Sequence, residues 1–178
     1  MFQIEKTITL EDYLAFNEYH LIHSKQGKKA LLMFKILTPL LSFLAILVFW
    51  IAEADIDLII ALIITLSIVS VIMSFYSKKI WLKAIKNNIK KLEKDGRLPF
   101  EKVSTLILND DCIIEKGAKT QTSIQYDAIE KIVCSDQAIY VYFSAIQAFV
   151  IPFRSFESDE HKNDFLAFLE EKSTKSLM

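Results

Sequence analysis

The sequence predicts an α+β chain in which two apolar helices form a hairpin through a membrane and an antiparallel β domain is closed by a C-terminal helix. Three observations carry this expectation. Apolar residues are concentrated between Ala30 and Tyr76 rather than spread along the 178 residues. Lysines flank that stretch on its two outer sides, while its middle holds only acids. Beyond Phe100 the texture changes to short β-rich runs separated by turn residues.

In chain order, Phe2 to Ile8 reads as a strand. Thr9-Leu10-Glu11-Asp12 resembles a capping box that opens a helix running to about His23. Residues 1–29 are expected to pack with the β domain, because both ends of a two-helix hairpin return to the same side. No signal peptide is expected, since the first apolar run begins only after a polar, structured-looking N-terminal segment.

The hairpin is expected over residues 30–76, with spans at 30–52 and 58–76. Leu58–Tyr76 holds no charge over 19 residues, and Ile36–Ala52 none over 17. A 19-residue helix rises about 28 Å, close to the hydrocarbon thickness of a bilayer. Lys35 sits near the start of the first span, where its stem can reach the headgroups, and Pro39 is read as lying near a helix start, where it is tolerated. Trp50 and Tyr76 end their segments, as interfacial rings do. Two buried core helices are the soluble alternative, but a chain of this length offers little to cover them. The connecting loop carries Glu53, Asp55 and Asp57 and no Lys or Arg. Lys25, Lys28 and Lys29 stand before the first span, and Lys78, Lys79, Lys83, Lys86, Lys90 and Lys91 after the second. The positive-inside rule then places two spans in the cell membrane with both termini cytoplasmic.

Residues 77–96 should continue the second helix as a basic juxtamembrane segment with an apolar stripe through Trp81, Leu82, Ile85, Ile89 and Leu92. Gly96 fits the C′ position and Pro99 follows it. Lys78, Lys79, Lys83 and Lys86 are the candidate contacts for anionic lipid headgroups.

From residue 97 to 178 the chain reads as a cytoplasmic β domain. Strands are expected at Glu101–Leu108, Cys112–Glu115, Thr120–Tyr126, Ile129–Cys134, Ala138–Phe143 and Ala148–Phe153, arranged as an antiparallel meander. A helix begins near Ser158, a good N-cap, and runs to about Lys172. Six or seven strands closed by one helix suggest a pleckstrin-homology-like fold. The opening Ile8-Thr9-Leu10-Glu11-Asp12-Tyr13, the position of the hairpin, and Ile151-Pro152-Phe153-Arg154-Ser155-Phe156 followed by an acidic helix resemble the YcxB-like family of bacterial membrane proteins. The chain departs from that family at Phe153, a basic position there, and at Tyr126–Ile129, where a tryptophan is commoner. The resemblance implies an architecture and no activity.

The residues themselves point away from catalysis. No phosphate loop, nucleophile elbow or zinc-protease run occurs. His20 and His23 are spaced to share a helix face, with Glu18 or Asp12 as the only third ligand in reach, and they read as surface or packing residues. Asp110-Asp111 suits a turn. Cys112 and Cys134 read as free thiols. No cofactor or metal is expected. Residues 101–178 hold 13 acids against 8 Lys and Arg, so neither nucleic acid nor a phosphate-rich headgroup suits this part of the chain. Arg154 is the candidate corner or partner contact. The expected function is a non-catalytic, membrane-anchored interaction module that binds a protein or peptide partner at the inner membrane face, with a homo-oligomer compatible. The alternative is an immunity protein against a membrane-active peptide. A channel subunit is the weakest reading, because the spans lack acids.

Overall fold

The structure, a computed structural model, describes residues 2–173. The chain divides into two compact units: residues up to Asn17 together with those from Ile89 onward, and Glu18–Asn88.

The first unit is the β domain. Strand β1 (Phe2–Thr7) pairs antiparallel with β2 (Val103–Leu108), from Phe2 opposite Leu108 to Thr7 opposite Val103. Then β2 pairs with β3 (Cys112–Gly117) and β3 with β4 (Gln121–Gln125), completing a four-stranded sheet. A second sheet holds β5 (Lys131–Cys134), β6 (Ala138–Tyr142) and β7 (Ala148–Pro152) in that order. The expected single meander is therefore two sheets. The break falls at Tyr126–Ala128, where one 3-10 turn replaces the strand. There Tyr126 turns inward and donates its hydroxyl to the Asn109 carbonyl at 2.7 Å. Helix α4 (Asp159–Ser173) starts where expected, with the Ser158 hydroxyl accepting the His161 N–H at 3.1 Å. Its Phe165 and Leu169 are fully buried with Leu106, Ile113, Ile132 and Ile151. Burying apolar area of this kind contributes about 25 cal/mol per Å², so this shared core is the main source of the unit's stability.

Helix α1 (Leu10–His23) opens on the expected capping box, with an aspartate in the usual glutamate position. The Asp12 N–H donates to the Thr9 hydroxyl at 3.2 Å, and the Asp12 carboxylate accepts the Thr9 N–H at 2.7 Å. Its Phe16 packs edge-on against Tyr140, 5.3 Å between centroids.

The second unit holds the long helices α2 (Lys25–Ile51) and α3 (Ile56–Lys94), the latter running on into the first unit as one unbroken helix. Both are long and apolar enough to cross a membrane, with mean hydropathies of 2.3 and 2.8. Of their most apolar stretches, 0% and 6% is buried, which is not how core helices of a soluble protein pack. One polar contact joins them near their middles, Ser42 to Ser70 at 3.1 Å. Helix α2 starts earlier than the apolar run alone implies, because the Ser24 hydroxyl accepts the Gly27 N–H at 2.8 Å and caps it there. Pro39 consequently lies in the helix interior and not near its start. Helix α3 ends in a Schellman motif at Gly96, whose φ is 67°: Gly96 N–H bonds Glu93 at 3.1 Å and Arg97 N–H bonds Leu92 at 2.8 Å.

Candidate functional site

Helical geometry sorts the lysines of α3 into two groups. Lys79, Lys83 and Lys86 stand at i, i+4 and i+7 and share one face. Lys90, at i+11, extends the same stripe, which spans about 17 Å at 1.5 Å per residue. All four are exposed. Lys78 lies a quarter turn away and is bound to Glu18 at 2.6 Å, both within the second unit. It is therefore held by this carboxylate and does not share the stripe. Lys79 leans over the Tyr76 ring, 5.5 Å from its centroid.

Arg154 sits in the 3-10 turn Phe153–Ser155 that follows β7. Its guanidinium grips the Asp12 carboxylate with both arms, one N–H donating to Oδ1 at 2.7 Å and the other to Oδ2, and it also donates to the Thr7 carbonyl at 2.8 Å. Strand β1, helix α1 and the β7 corner are thus joined at one fork. Burial alone would push the Asp12 carboxyl up, but the hydrogen bonds from Arg154 and Thr9 outweigh it and hold the group below the usual carboxylate range. The guanidinium is half exposed, yet its directed hydrogen bonds are spent inside the fold.

A cavity of about 190 Å³ opens in the β domain beside Lys6, Tyr13, Phe16, Phe100 and Glu115. The buried Lys6 ammonium donates to the Val150 carbonyl at 2.8 Å and pairs with Glu115 at 2.8 Å, so it joins the two sheets. Ser104 donates to the same carboxylate at 2.8 Å. The lysine is committed to these partners and is not poised as a nucleophile.

Among the described residues no group of three His, Cys, Asp or Glu could hold a metal ion. The four side chains weighed for one each have another partner: Asp12 binds Arg154, Glu18 binds Lys78, His20 lies 3.2 Å from the Ser24 hydroxyl, and His23 stacks on Tyr19. Sequence reasoning missed Lys90, the Asp12 end of the Arg154 fork, and Lys6. For Lys6 a signal existed, since Ile4, Lys6 and Ile8 alternate on one face of a strand and a lysine at an inward position requires a partner.

These features define an α+β chain whose antiparallel β domain is interrupted, between β1 and β2, by two helices long and apolar enough to span a membrane. Residues 108–169, from the end of β2 into α4, match the family model described as YcxB-like protein, and this segment is a YcxB-like domain. The match covers about a third of the chain. No curated protein and no solved structure matches the chain.

Proposed function

We propose that the chain is a non-catalytic, membrane-anchored interaction module, with α2 and α3 crossing the cell membrane and the β domain on its cytoplasmic face, where it binds a protein or peptide partner. The observation that carries the reading is the pairing of β1 with β2. These strands precede and follow the helix pair, and two strands of one sheet lie on one side of any bilayer. An even number of crossings satisfies this, and the exposed apolar surface of both helices favours two crossings over none. The lysine flanks and the acidic Glu53–Asp57 loop favour the cytoplasmic side for the termini.

In this arrangement Lys79 and Lys83 lie nearest the bilayer and meet anionic headgroups, each contributing about 1 kcal/mol within a Debye length. Lys86 and Lys90 lie deeper in the cytoplasm, and Lys78 serves Glu18. The four-plus-three strand count and the terminal helix support a pleckstrin-homology-like β domain, and its acidic balance fits a protein or peptide better than a phosphate-rich ligand. The test is extraction and labelling. The chain should stay in the membrane pellet through alkaline carbonate. Cysteines placed at Asp55 and at Lys116 should react with an impermeant maleimide on opposite faces of sealed vesicles. Release into the soluble fraction, or labelling on one face, would overturn the reading.

A further inference from the structure

The cavity beside Lys6 lies within the first compact unit, and the fold does not use all of its polar groups. An ammonium has three N–H groups. Two of those on Lys6 go to the Val150 carbonyl and to Glu115, and the third has no partner among the described residues. Glu115 is engaged on one oxygen. Its Oε1 accepts from both Lys6 and Ser104, while no donor among the described residues reaches Oε2. Thr122, directly opposite Glu115 in the β3–β4 register, lines the same cavity. Phe16 and the stacked pair Tyr13–Phe100, 4.8 Å between centroids, supply apolar walls with flat faces.

Size and charge narrow the occupant. A volume of about 190 Å³ matches the liquid share of roughly six waters at ~30 Å³ each. Sites for drug-sized ligands run to ~300–1,000 Å³. A nucleotide or a lipid is therefore too large, and a small ring or one side chain fits. Glu115 already neutralises Lys6, so an anion would add a second negative charge to one buried cation. A cation would meet the Lys6 ammonium. Glu101 also lines the cavity, with its Oε1 taken by the Lys119 N–H at 3.2 Å and the Thr120 hydroxyl at 3.1 Å. A neutral group remains, with an acceptor for Lys6 and a donor beside it for Glu115 Oε2. A carboxamide carries both on neighbouring atoms of one plane, and that plane suits the ring walls.

We propose that this cavity binds a small neutral carboxamide. Its carbonyl accepts from Lys6, its N–H donates to Glu115 Oε2, and its flat body lies against Phe16 and Phe100. The amide comes from a free small molecule or from an asparagine or glutamine side chain of a partner segment. The site is built from the β domain and helix α1, and it stands independently of the membrane reading.

The experiment is ligand-detected NMR titration of the full chain in detergent, with protein-free micelles as the blank. Four pyridines of one shape are the probes. Nicotinamide should bind saturably. Nicotinate is the anion, 3-(aminomethyl)pyridine the cation, and 3-acetylpyridine keeps the carbonyl but lacks the N–H. Each should bind at least about tenfold more weakly, because each leaves a buried polar group unpaired or a charge uncompensated. Lys6→Met should weaken nicotinamide by a similar factor. Ala148→Leu fills the cavity wall on β7, leaves the Lys6–Glu115 pair in place, and should abolish binding; thermal melts confirm that both variants are folded. No saturable nicotinamide signal, equal affinity for all four probes, tighter binding of the cation, or binding retained in Ala148→Leu overturns the proposal. Displacement of nicotinamide by acetyl-Ala-Gln-Ala-amide and not by acetyl-Ala-Leu-Ala-amide assigns the amide to a partner side chain. Displacement by neither assigns it to a free molecule, which supports this site while withdrawing it from the partner-binding reading.

Discussion

Strand β1 turns Ile4 and Lys6 to one inner face, and Ile8 just beyond its end is buried too, so a lysine enters the space between the sheets. Burial pushes its ammonium below the usual lysine range, and Glu115 beside it pulls part of the way back. The pair is asymmetric. Glu115 keeps the Ser104 hydroxyl and some access to water, whereas Lys6 is buried. Glu115→Ala should therefore cost about 3 kcal/mol by leaving an unpaired buried charge, and Lys6→Met only about 1 kcal/mol. Native-state amide hydrogen exchange at β2, β3 and β7 in both variants measures this. The Arg154–Asp12 fork sets a pH dependence. The Asp12 carboxyl is held below its unfolded value of 3.8, so its contribution is present above that pH and is lost as pH falls through the lower folded value. Asp12→Asn should cost about 1–2 kcal/mol at neutral pH, a figure reduced by the half-exposed guanidinium, and the difference from the parent should close under acid. Thermal unfolding across pH 2–7, a window chosen on that linkage, reads it. Neither partner choice was legible in the sequence, because Lys6 and Glu115, or Asp12 and Arg154, are brought together only by strand pairing across most of the chain.

Elements that terminate on local chemistry were the most legible. The Thr9–Asp12 box, the Ser158 cap and the Gly96 stop follow from residues within a turn of each boundary, and all three elements begin or end there. The division into two sheets was not legible, since it depends on Tyr126 reaching Asn109, seventeen residues away. The early start of α2 was missed for a related reason: its cap, Ser24, lies among polar residues that carry no apolar period. Two glycines separate local from tertiary demand. At Gly96 a side chain meets open space and only the left-handed backbone objects, so Gly96→Ala should cost about 1 kcal/mol. At Gly27 a Cβ would lie 2.3 Å from the Leu21 carbonyl oxygen, and backbone cannot step aside as a side chain can. Gly27→Ala should cost about 2–3 kcal/mol, more than its neighbour in this comparison, and loosen the α1–α2 turn. Circular dichroism of both variants during heating in detergent orders the two effects.

At the scale of the whole molecule, the β domain is made from two separated pieces of chain. Its first strand lies before the long helices and the other six after them, so the sheet closes only when the chain has gone through α2 and α3 and come back. Without β1, strand β2 becomes a bare edge, and the inward side chains Leu106 and Leu108 lose the cover of Ile4 and Phe2. Lys6 is lost too, leaving Glu115 and the Val150 carbonyl without their buried partner. A fragment beginning at residue 97 should therefore aggregate or remain unfolded, although it contains the whole segment that matches the family model. Replacing residues 18–88 by a flexible Gly/Ser linker of about 18 residues, whose mean reach is about 23 Å, keeps β1 and removes the exposed apolar helices. That chain should be soluble without detergent and show cooperative unfolding and dispersed amide resonances. The two outcomes together assign the helices to anchoring and β1 to folding. A well-folded 97–178 fragment would instead show that β1 is an accessory to a sheet already complete.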